Sequence, residues 1–311
     1  MTSRGGGLEA RLAGWRQNVG DAVALDLTSS AHAERAAAAT SLAVVSWNVW
    51  IGRGRLLELL DLLQAGALGV PGDLPAVLLL QEVFRQDDSI PDRSNGFAAR
   101  DLVTRPGPKH DIVEITRRLG WNLRYIPSMR NGAERSDRGN AILTPLPLGP
   151  ATAIELPLVL QRRVAIAAEV IVAGRPIRLV SAHLAPRGPA GHTLLGGAGR
   201  SLQMGRLLAA VDDPTVVLGA DLNLGRGRAE GAWRLLVEGE FEFGVPPDLP
   251  TWRHTYHSIP RLVLDYLVVR NRVGAIRAAG VRRVDQNPND RGPTVFGSDH
   301  HPLLARIDLA S

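Results

Sequence analysis

An acid beside an imidazole near the end of the chain is the first candidate for chemistry. Asp299 and His300 lie in the turn at residues 297–302, directly before the apolar run 303–309, which predicts a final β-strand. A carboxylate in this position can bind a divalent cation or orient the imidazole, and the imidazole can take a proton from water. Short motifs of this kind are common, so the pair gains weight only if other strands also end in polar residues.

Four other apolar runs do end in polar side chains. Because ligands gather at the strand ends of α/β sheets, we expect these side chains to converge although they lie far apart in the chain. Each also has a plain structural explanation, such as a turn cap, a loop start, a core histidine or an Asx-turn. The residues are Asn48, Glu82, His183, and Asp221 with Asn223.

Asp265 differs from these residues because it stands inside the apolar run 262–269, which predicts a strand. A buried carboxylate is costly unless it is hydrogen-bonded or paired with a charge. The sequence therefore predicts a partner for Asp265, and a histidine is the natural candidate.

Composition excludes several classes of site. The chain has no cysteine, so disulfides, thiolate nucleophiles and Cys-bound zinc are excluded, and oxygen ligands favour Mg²⁺ or Mn²⁺. Lys109 is the single lysine among 36 basic residues, so a Schiff base or a Walker-type phosphate loop would depend on it. A net charge of +5 gives mild support for a phosphate-bearing substrate.

The pattern of elements predicts one large α/β domain after an N-terminal tail. Residues 1–40 are expected to hold a disordered start (1–7) and short helices at 8–18 and 31–39, and residues 41–311 to form the catalytic domain. No apolar run approaches the ~18 residues of a membrane span, and no signal-peptide pattern is present, so a cytoplasmic location is expected. Long surface loops are predicted at 84–110, 131–139 and 186–200, and a hairpin is predicted to turn at 173–174.

The segments around the candidate residues resemble the endonuclease/exonuclease/phosphatase family, whose fold is shared by DNase I, exonuclease III, neutral sphingomyelinases and inositol-polyphosphate 5-phosphatases. The resemblance covers residues 42–309, and seven segments stand in family order. They are Val-Val-Ser-Trp-Asn48-Val-Trp, Leu-Leu-Leu-Gln-Glu82-Val, Arg-Gly-Asn140-Ala-Ile-Leu, Ser-Ala-His183-Leu, Gly-Ala-Asp221-Leu-Asn223, Leu-Asp265-Tyr-Leu-Val and Gly-Ser-Asp299-His300-His-Pro.

The resemblance implies an α/β fold, a four-layer α/β/β/α sandwich of two mixed β-sheets flanked by helices. It also implies a site at one rim and assigns a role to each residue. His300 would be the general base oriented by Asp265, and His183 would donate to a phosphate oxygen. The other implied roles are Mg²⁺ (or Mn²⁺) ligands for Asn48, Glu82 and Asp299, orientation of water and phosphate for Asp221 and Asn223, and substrate binding for Asn140 and Trp252.

These roles imply a divalent-metal-dependent phosphoesterase, foremost a phosphodiesterase or nuclease that attacks with a His-activated water. A phospholipid, inositol or small-molecule phosphatase with the same site is the alternative, and a non-catalytic nucleic-acid-binding protein ranks last. Abasic-site endonucleases of the family tend to carry tyrosine where this chain has His183, which weakens a DNA-repair assignment. The expected partner is a phosphate-ester substrate, possibly nucleic acid, and no protein partner is inferred.

The remaining histidines are given no catalytic role. His301 is expected to face away from the function of His300. Four more stand in polar loops and are interpreted as solvated rather than as ligands. They are His110, His192, His254 and His257.

Overall fold

The computed structural model describes residues 3–94, 107–132, 134–186, 196–242, 254–285 and 294–310. Within these ranges the chain combines strands and helices, with five consecutive strands between residues 122 and 183. The helices are α1 (Ser3–Arg16), α2 (Ser30–Ala37), α3 (Leu56–Gln64), α4 (Ile112–Leu119), α5 (Gly197–Ala210) and α6 (Gly231–Glu238), with a short 3-10 helix at Gly227–Ala229.

The strands form two sheets. The first contains β1 (Val23–Leu25), β2 (Ser41–Asn48), β3 (Ala76–Gln86), β4 (Asn122–Arg130), β5 (Ser136–Thr144), β12 (Ile276–Arg283) and β13 (Leu303–Leu309), in the order β1-β4-β5-β3-β2-β13-β12. The second contains β6 (Thr152–Glu155), β7 (Val164–Val172), β8 (Arg175–His183), β9 (Thr215–Asp221), β10 (Phe241–Glu242) and β11 (Asp265–Asn271), in the order β10-β11-β9-β8-β7-β6. Each sheet has one parallel pair, β2 with β3 and β8 with β9, among antiparallel neighbours.

Three hydrophobic clusters separate four layers. Along β3, Val77 and Leu79 pack between the two sheets, whereas Leu78 and Leu80 pack on the opposite face against a cluster that includes the buried leucines of α3. This alternation follows from the two-residue period of a strand. A third cluster joins the second sheet to α5 and α6 through residues such as Met204 and Leu236, so the predicted four-layer sandwich of two mixed sheets is confirmed.

The two sheets are in close contact near the rim where both parallel pairs end. A Cβ added to Gly219 would lie 2.8 Å from side-chain atoms of Leu79 and Ser46, so a glycine is needed at this contact. Gln81 Nε2 donates across the gap to Ser181 Oγ at 3.1 Å, which links the sheets through buried polar groups. The strand ends of both sheets are therefore held at one common rim.

Several predicted boundaries were wrong because charged residues found buried partners. Strand β3 continues to Gln86 and β5 begins at Ser136, although both stretches were predicted as loops. The buried Arg85 guanidinium pairs with Asp137 at 2.5 Å, and the Tyr125 hydroxyl donates to the same carboxylate at 2.7 Å. Pairing of this kind lets charged residues enter strands that face the protein interior.

The predicted hairpin at 173–174 is confirmed, with positive φ angles of 49° at Ala173 and 72° at Gly174. Other edges of the second sheet, β6 and β10, were missed because they are short. No helix among the described residues is long and apolar enough to cross a membrane.

The first 40 residues contain elements that pack against the main body. Strand β1 pairs with β4 at one edge of the first sheet, and the buried Trp15 of α1 contacts Met129. Helix α1 begins at Ser3, before the predicted start at residue 8, because glycines weaken a helix without removing backbone donors. The division of the chain at residue 41 stays a prediction.

Candidate active site

The first sheet brings two of the predicted residues to the rim. Asn48 is the last residue of β2, where it is buried. Glu82 follows a shift in the β3–β5 register between Leu80 and Val83, and its φ of 54° is unusual for a residue with a side chain. A bulge of this kind turns a side chain out of the strand alternation. The Glu82 side chain is consequently 18% exposed at the rim.

The second sheet supplies three residues at the ends of adjacent strands. His183, the last residue of β8, stands opposite Asp221 at the end of β9, and Asp221 stands opposite Asp265. Asp265 is the first residue of β11, so the prediction that it lies inside a strand is wrong. The backbone N–H groups of Leu264 and Asp265 both donate to the Thr255 hydroxyl, which holds the start of β11 in place.

Asp221 is the centre of a buried hydrogen-bond network. Its carboxylate accepts from Asn48 Nδ2 at 2.9 Å and from the backbone N–H of Asn223 at 3.1 Å. His183 Nε2 lies 3.3 Å from the same carboxylate. Burial, aided by the neighbouring charge of Asp265, raises the pKa of Asp221 to about 7. The site therefore holds more negative charge than its own donors satisfy.

His300 forms a buried pair with Asp265. The imidazole Nδ1 lies 2.8 Å from Asp265 Oδ2, which predicts an N–H donated to the carboxylate and leaves Nε2 facing the rim, 3.9 Å from Asp221. The backbone carbonyl of His300 accepts from Trp47 Nε1, which fixes the segment. Burial opposes the charged form, yet the charges of Asp265, Asp221 and Asp299 raise the pKa of His300 to about 10. The predicted histidine partner for Asp265 is present.

Asp299 lies beside this pair with part of its carboxylate buried. Its Oδ1 atom has no hydrogen-bond partner within the described part of the chain. Burial and the nearby charge of Glu82 raise its pKa to about 6, so the Glu82 and Asp299 carboxylates act on one another electrostatically. Asp265 Oδ1 is likewise buried without a hydrogen-bond partner among described residues.

Of the remaining predicted residues, Asn140 and Asn223 lie near the site. Asn140 donates to the Val164 carbonyl at 2.6 Å and lines a small cleft together with Glu82 and His183. Asn223, with a φ of 53°, donates to the Leu184 carbonyl at 3.2 Å beside Asp221. Trp252 lies outside the described residues.

Two arginines at the same cleft were missed by the sequence reasoning. Arg163 and Arg138 are both about 4% exposed and line the cleft with Glu82, Asn140 and His183. Arg163 Nη1 lies 3.1 Å from His183 Nδ1, and burial together with this positive charge lowers the pKa of His183 well below its usual value. A signal existed, since Arg163 stands immediately before the apolar strand β7 in the way that the other site residues border strands.

The donors at the rim fit a hard divalent cation. They offer carboxylate and amide oxygens with no cysteine, which suits Mg²⁺ or Mn²⁺ better than softer metals. Asp299 Oδ1 has no hydrogen-bond partner among the described residues, and burial together with neighbouring carboxylates raises the pKa of both Asp221 and Asp299, so a cation would find unpaired negative charge here. One set of possible ligand atoms, from Asp221, Asp265 and His300, lies within 4.8 Å of one another.

Comparison with solved structures shows the same fold in proteins of low sequence identity. The human Nocturnin catalytic domain with bound sulfate anion is 17% identical with a TM-score of 0.57, over 94% of this chain and 98% of that one. TDP2 from Caenorhabditis elegans is 17% identical with a TM-score of 0.53, over 86% and 75%. An endonuclease/exonuclease/phosphatase from Beutenbergia cavernae is 19% identical with a TM-score of 0.54, over 87% and 72%.

The family of this chain is identified from its sequence. A search of curated protein sequences finds no match. The sequence model of the Endonuclease/Exonuclease/phosphatase family matches residues 45–300, which is most of the chain and includes every candidate residue from Asn48 to His300. The chain therefore belongs to the endonuclease/exonuclease/phosphatase family, whose members are hydrolases of phosphate esters and generally use a divalent metal.

Proposed function

We propose that this chain is a divalent-metal-dependent phosphodiesterase, acting on nucleic acid by in-line attack of a water on the phosphorus. The observation that carries the proposal is the convergence of strand ends from both sheets on Asp221, beside the 2.8 Å pair of His300 and Asp265. The charge of +5 is consistent with a polyanionic substrate.

We assign the cation to Glu82 and Asp299, with the amide oxygen of Asn48 nearby. Glu82 is the accessible carboxylate of the rim, and Asp299 has an oxygen without a hydrogen-bond partner among described residues. When bound, Mg²⁺ or Mn²⁺ supplies charge that polarises a phosphoryl oxygen and stabilises the leaving oxyanion. Positive charge beside Asp299 would also offset part of the negative charge that raises the pKa of His300. The neutral imidazole would then form more readily.

His300 is the proposed base because its geometry separates its two nitrogens. Nδ1 is held by Asp265, so Nε2 is the atom that accepts a proton from the attacking water. Asp265 stabilises the imidazolium that forms, in the way that a buried carboxylate orients a catalytic histidine. Asp221 and Asn223 orient the water and the phosphate next to Nε2.

The opposite side of the site provides donors for phosphate oxygens. His183 and Arg163 lie together at 3.1 Å, and Asn140 lines the same cleft. Arginine matches phosphate geometry with two parallel donors, and charge that develops in the transition state is stabilised by donors already in place. The Nocturnin structure holds a sulfate anion, whose shape and charge resemble those of a phosphate group.

A second candidate keeps this machinery and changes the substrate to a phospholipid head group or an inositol phosphate. The observation that favours it is His183, the residue type that resembles the DNase I, sphingomyelinase and phosphatase branches rather than the abasic-site endonucleases. Both candidates need the same cation and base, so only the substrate separates them.

The test is an activity panel with Mg²⁺ or Mn²⁺ on plasmid DNA, RNA, abasic DNA, sphingomyelin and inositol phosphates. Cleavage of a nucleic acid that stops with EDTA and weakens steeply with salt is expected. Glu82→Gln should be inactive, whereas Glu114→Gln on the exposed face of α4 should match the parent. Release of phosphate or phosphocholine without nucleic acid cleavage would select the second candidate. Equal activity of the parent and Glu82→Gln would refute both.

A further inference from the structure

Three histidines form a cluster that the candidate active site does not use. One ligand nitrogen from each of His254, His257 and His301 can be chosen so that all three lie within 4.8 Å of one another. His301 is buried and the other two are half-buried, so the expectation that His254 and His257 are solvated loop residues is wrong. The sequence could not show this, because the loop at 254–257 and the turn at 301 are distant in the chain.

The orientation of His301 is set by a backbone group. Its Nδ1 lies 3.2 Å from the Val284 carbonyl, which can only accept, so Nδ1 carries the hydrogen. In a neutral ring Nε2 then presents a lone pair, and it faces His257 Nδ1 at 3.2 Å. Histidines that bind metals typically donate the other ring N–H to a carbonyl or carboxylate in this way.

The distance between the facing nitrogens matches a metal site. With Zn–N bonds of about 2.0–2.1 Å, two ligands of a tetrahedral zinc lie about 3.3–3.4 Å apart. A simple N–H···N hydrogen bond between His257 and His301 fits this distance as well. The third ring favours the metal, because the ring centroids of His254 lie 5.3 Å from His301 and 6.1 Å from His257.

The backbone holds the three rings in place before any ligand binds. The backbone N–H of His257 donates to the Asp299 carbonyl at 2.7 Å, and the backbone N–H of His301 donates to the Thr255 carbonyl at 2.8 Å. Between them, the ring of Tyr256 lies 5.0 Å from the ring of His300. A site on two paired segments loses little conformational entropy when it binds an ion.

Charges of both signs surround the cluster: Arg283 and Arg261 act on His254 electrostatically, and Asp285 opposes them. The Arg283 guanidinium lies 3.4 Å from His254 Nδ1 but pairs with Asp285. The Asp285 carboxylate is also 3.7 Å from His301 Nδ1. The carboxylate therefore offsets the repulsion that the guanidinium would exert on a cation.

We propose that His254, His257 and His301 form a transition-metal site, separate from the rim, which binds Zn²⁺ through three imidazole nitrogens with water as the fourth ligand. Imidazole donors suit Zn²⁺, Co²⁺, Ni²⁺ and Cu²⁺, whereas Mg²⁺ prefers oxygen. The bound ion clamps the loop at 254–257 onto the turn at 299–301 and thereby braces the backbone that carries His300. The metal site goes beyond the proposed function and does not rest on it.

Cobalt binding to the tag-free, chelator-treated chain in excess Mg²⁺ is the decisive experiment. One equivalent of Co²⁺ should give the intense visible bands of a low-coordinate nitrogen site, and Zn²⁺ should abolish them by competition. His257→Ala should weaken cobalt binding at least about 10-fold, as expected for loss of a direct ligand. Glu82→Gln and the exposed His32→Ala should keep the bands.

Unfolding measurements distinguish a variant that has lost a metal ligand from one that fails to fold. Zn²⁺ should raise the melting temperature of the parent and of His32→Ala, and should not raise that of His257→Ala or His254→Ala. Bands that never appear, or that persist in both cluster variants, would overturn the proposal. Bands lost in Glu82→Gln would place the ion at the rim and overturn it equally.

Discussion

The two sheets contribute to the rim in different ways. The first sheet presents Glu82 at a bulge with a positive φ, partly exposed. The second sheet presents His183, Asp221 and Asp265 as the buried ends of paired strands, with His183 beside Asp221 and Asp265 paired with His300. Asn48 of the first sheet joins this buried network, so the site divides into an accessible carboxylate at Glu82 and a network that water does not reach.

This difference separates binding from preorganisation. An accessible carboxylate on a strained β-bulge can take up a hydrated cation without breaking internal hydrogen bonds. A buried network holds a base and donors in fixed positions, and every member of the network also supports the fold. We therefore expect changes at the accessible Glu82 to affect activity alone, and changes in the buried network to affect activity and stability together.

The largest effect is expected for Glu82→Gln. Loss of the accessible carboxylate should lower kcat/KM by at least about 10³-fold, equivalent to about 4 kcal/mol in the barrier. The free energy of unfolding without metal should change by less than about 0.5 kcal/mol, because the side chain is not in a buried network. Steady-state kinetics and urea unfolding measure the two quantities, with Glu114→Gln as the control. A large loss of stability would erase the distinction between the two halves.

His300→Ala should instead lower both quantities. The imidazole is the partner of the buried Asp265 carboxylate, and removing one member of such a pair is expected to cost about 3–4 kcal/mol of unfolding free energy. Activity should fall as well, since the proposed base is lost. Urea unfolding beside the exposed His32→Ala provides the comparison. An unchanged midpoint for His300→Ala would mean that the buried network is not coupled to the fold.

Metal addition should stabilise the chain through the accessible carboxylate of Glu82. A cation that binds only the folded state at 100 times its Kd adds about 2.7 kcal/mol of stability. Thermal unfolding with Mg²⁺ or EDTA should show this shift in the parent, and Glu82→Gln should lose most of it. If Glu82→Gln retained the full Mg²⁺ shift, the cation would be bound elsewhere, and the accessible half would have no role in binding.

Arg163→Lys sharpens the description of the buried half. Lysine keeps the charge but loses the two terminal nitrogens that contact His183 and Gln161, so kcat/KM should fall about 10-fold to 30-fold, or about 1.4–2 kcal/mol. Kinetics beside the exposed Arg118→Lys on α4 measure the effect. Parent-like kinetics would show that Arg163 serves packing alone.

The sequence predicted the fold and most of the rim for a physical reason. Strands such as β2 and β9 are short apolar runs that end sharply in polar residues, and topology forces those ends together. The family order of the motifs then predicted the two-sheet architecture, which the cross-sheet contact at Gly219 makes possible.

The features that the sequence did not predict depend on contacts between residues that are distant in the chain. Arg85 and Asp137 turned predicted loops into strands because each neutralises the other. The imidazole cluster stayed hidden because His254 and His301 become neighbours only when Thr255 pairs with the final turn. Arg163 was missed because it joins the site through His183, which lies 20 residues away on the neighbouring strand.

The smallest expected effect tests the strain at Glu82 itself. A residue with a side chain at a φ of 54° costs about 1 kcal/mol that glycine avoids, so Glu82→Gly should be about 1 kcal/mol more stable than Glu82→Gln and equally inactive. Glu240 is exposed, has a φ of 61° outside the site, and is the matched control. Glu240→Gly should gain a similar amount relative to Glu240→Gln without loss of activity. If Glu240→Gly alone were more stable than its Gln counterpart, with no difference between Glu82→Gly and Glu82→Gln, the backbone at Glu82 would not be strained. The β-bulge alone would then account for its conformation.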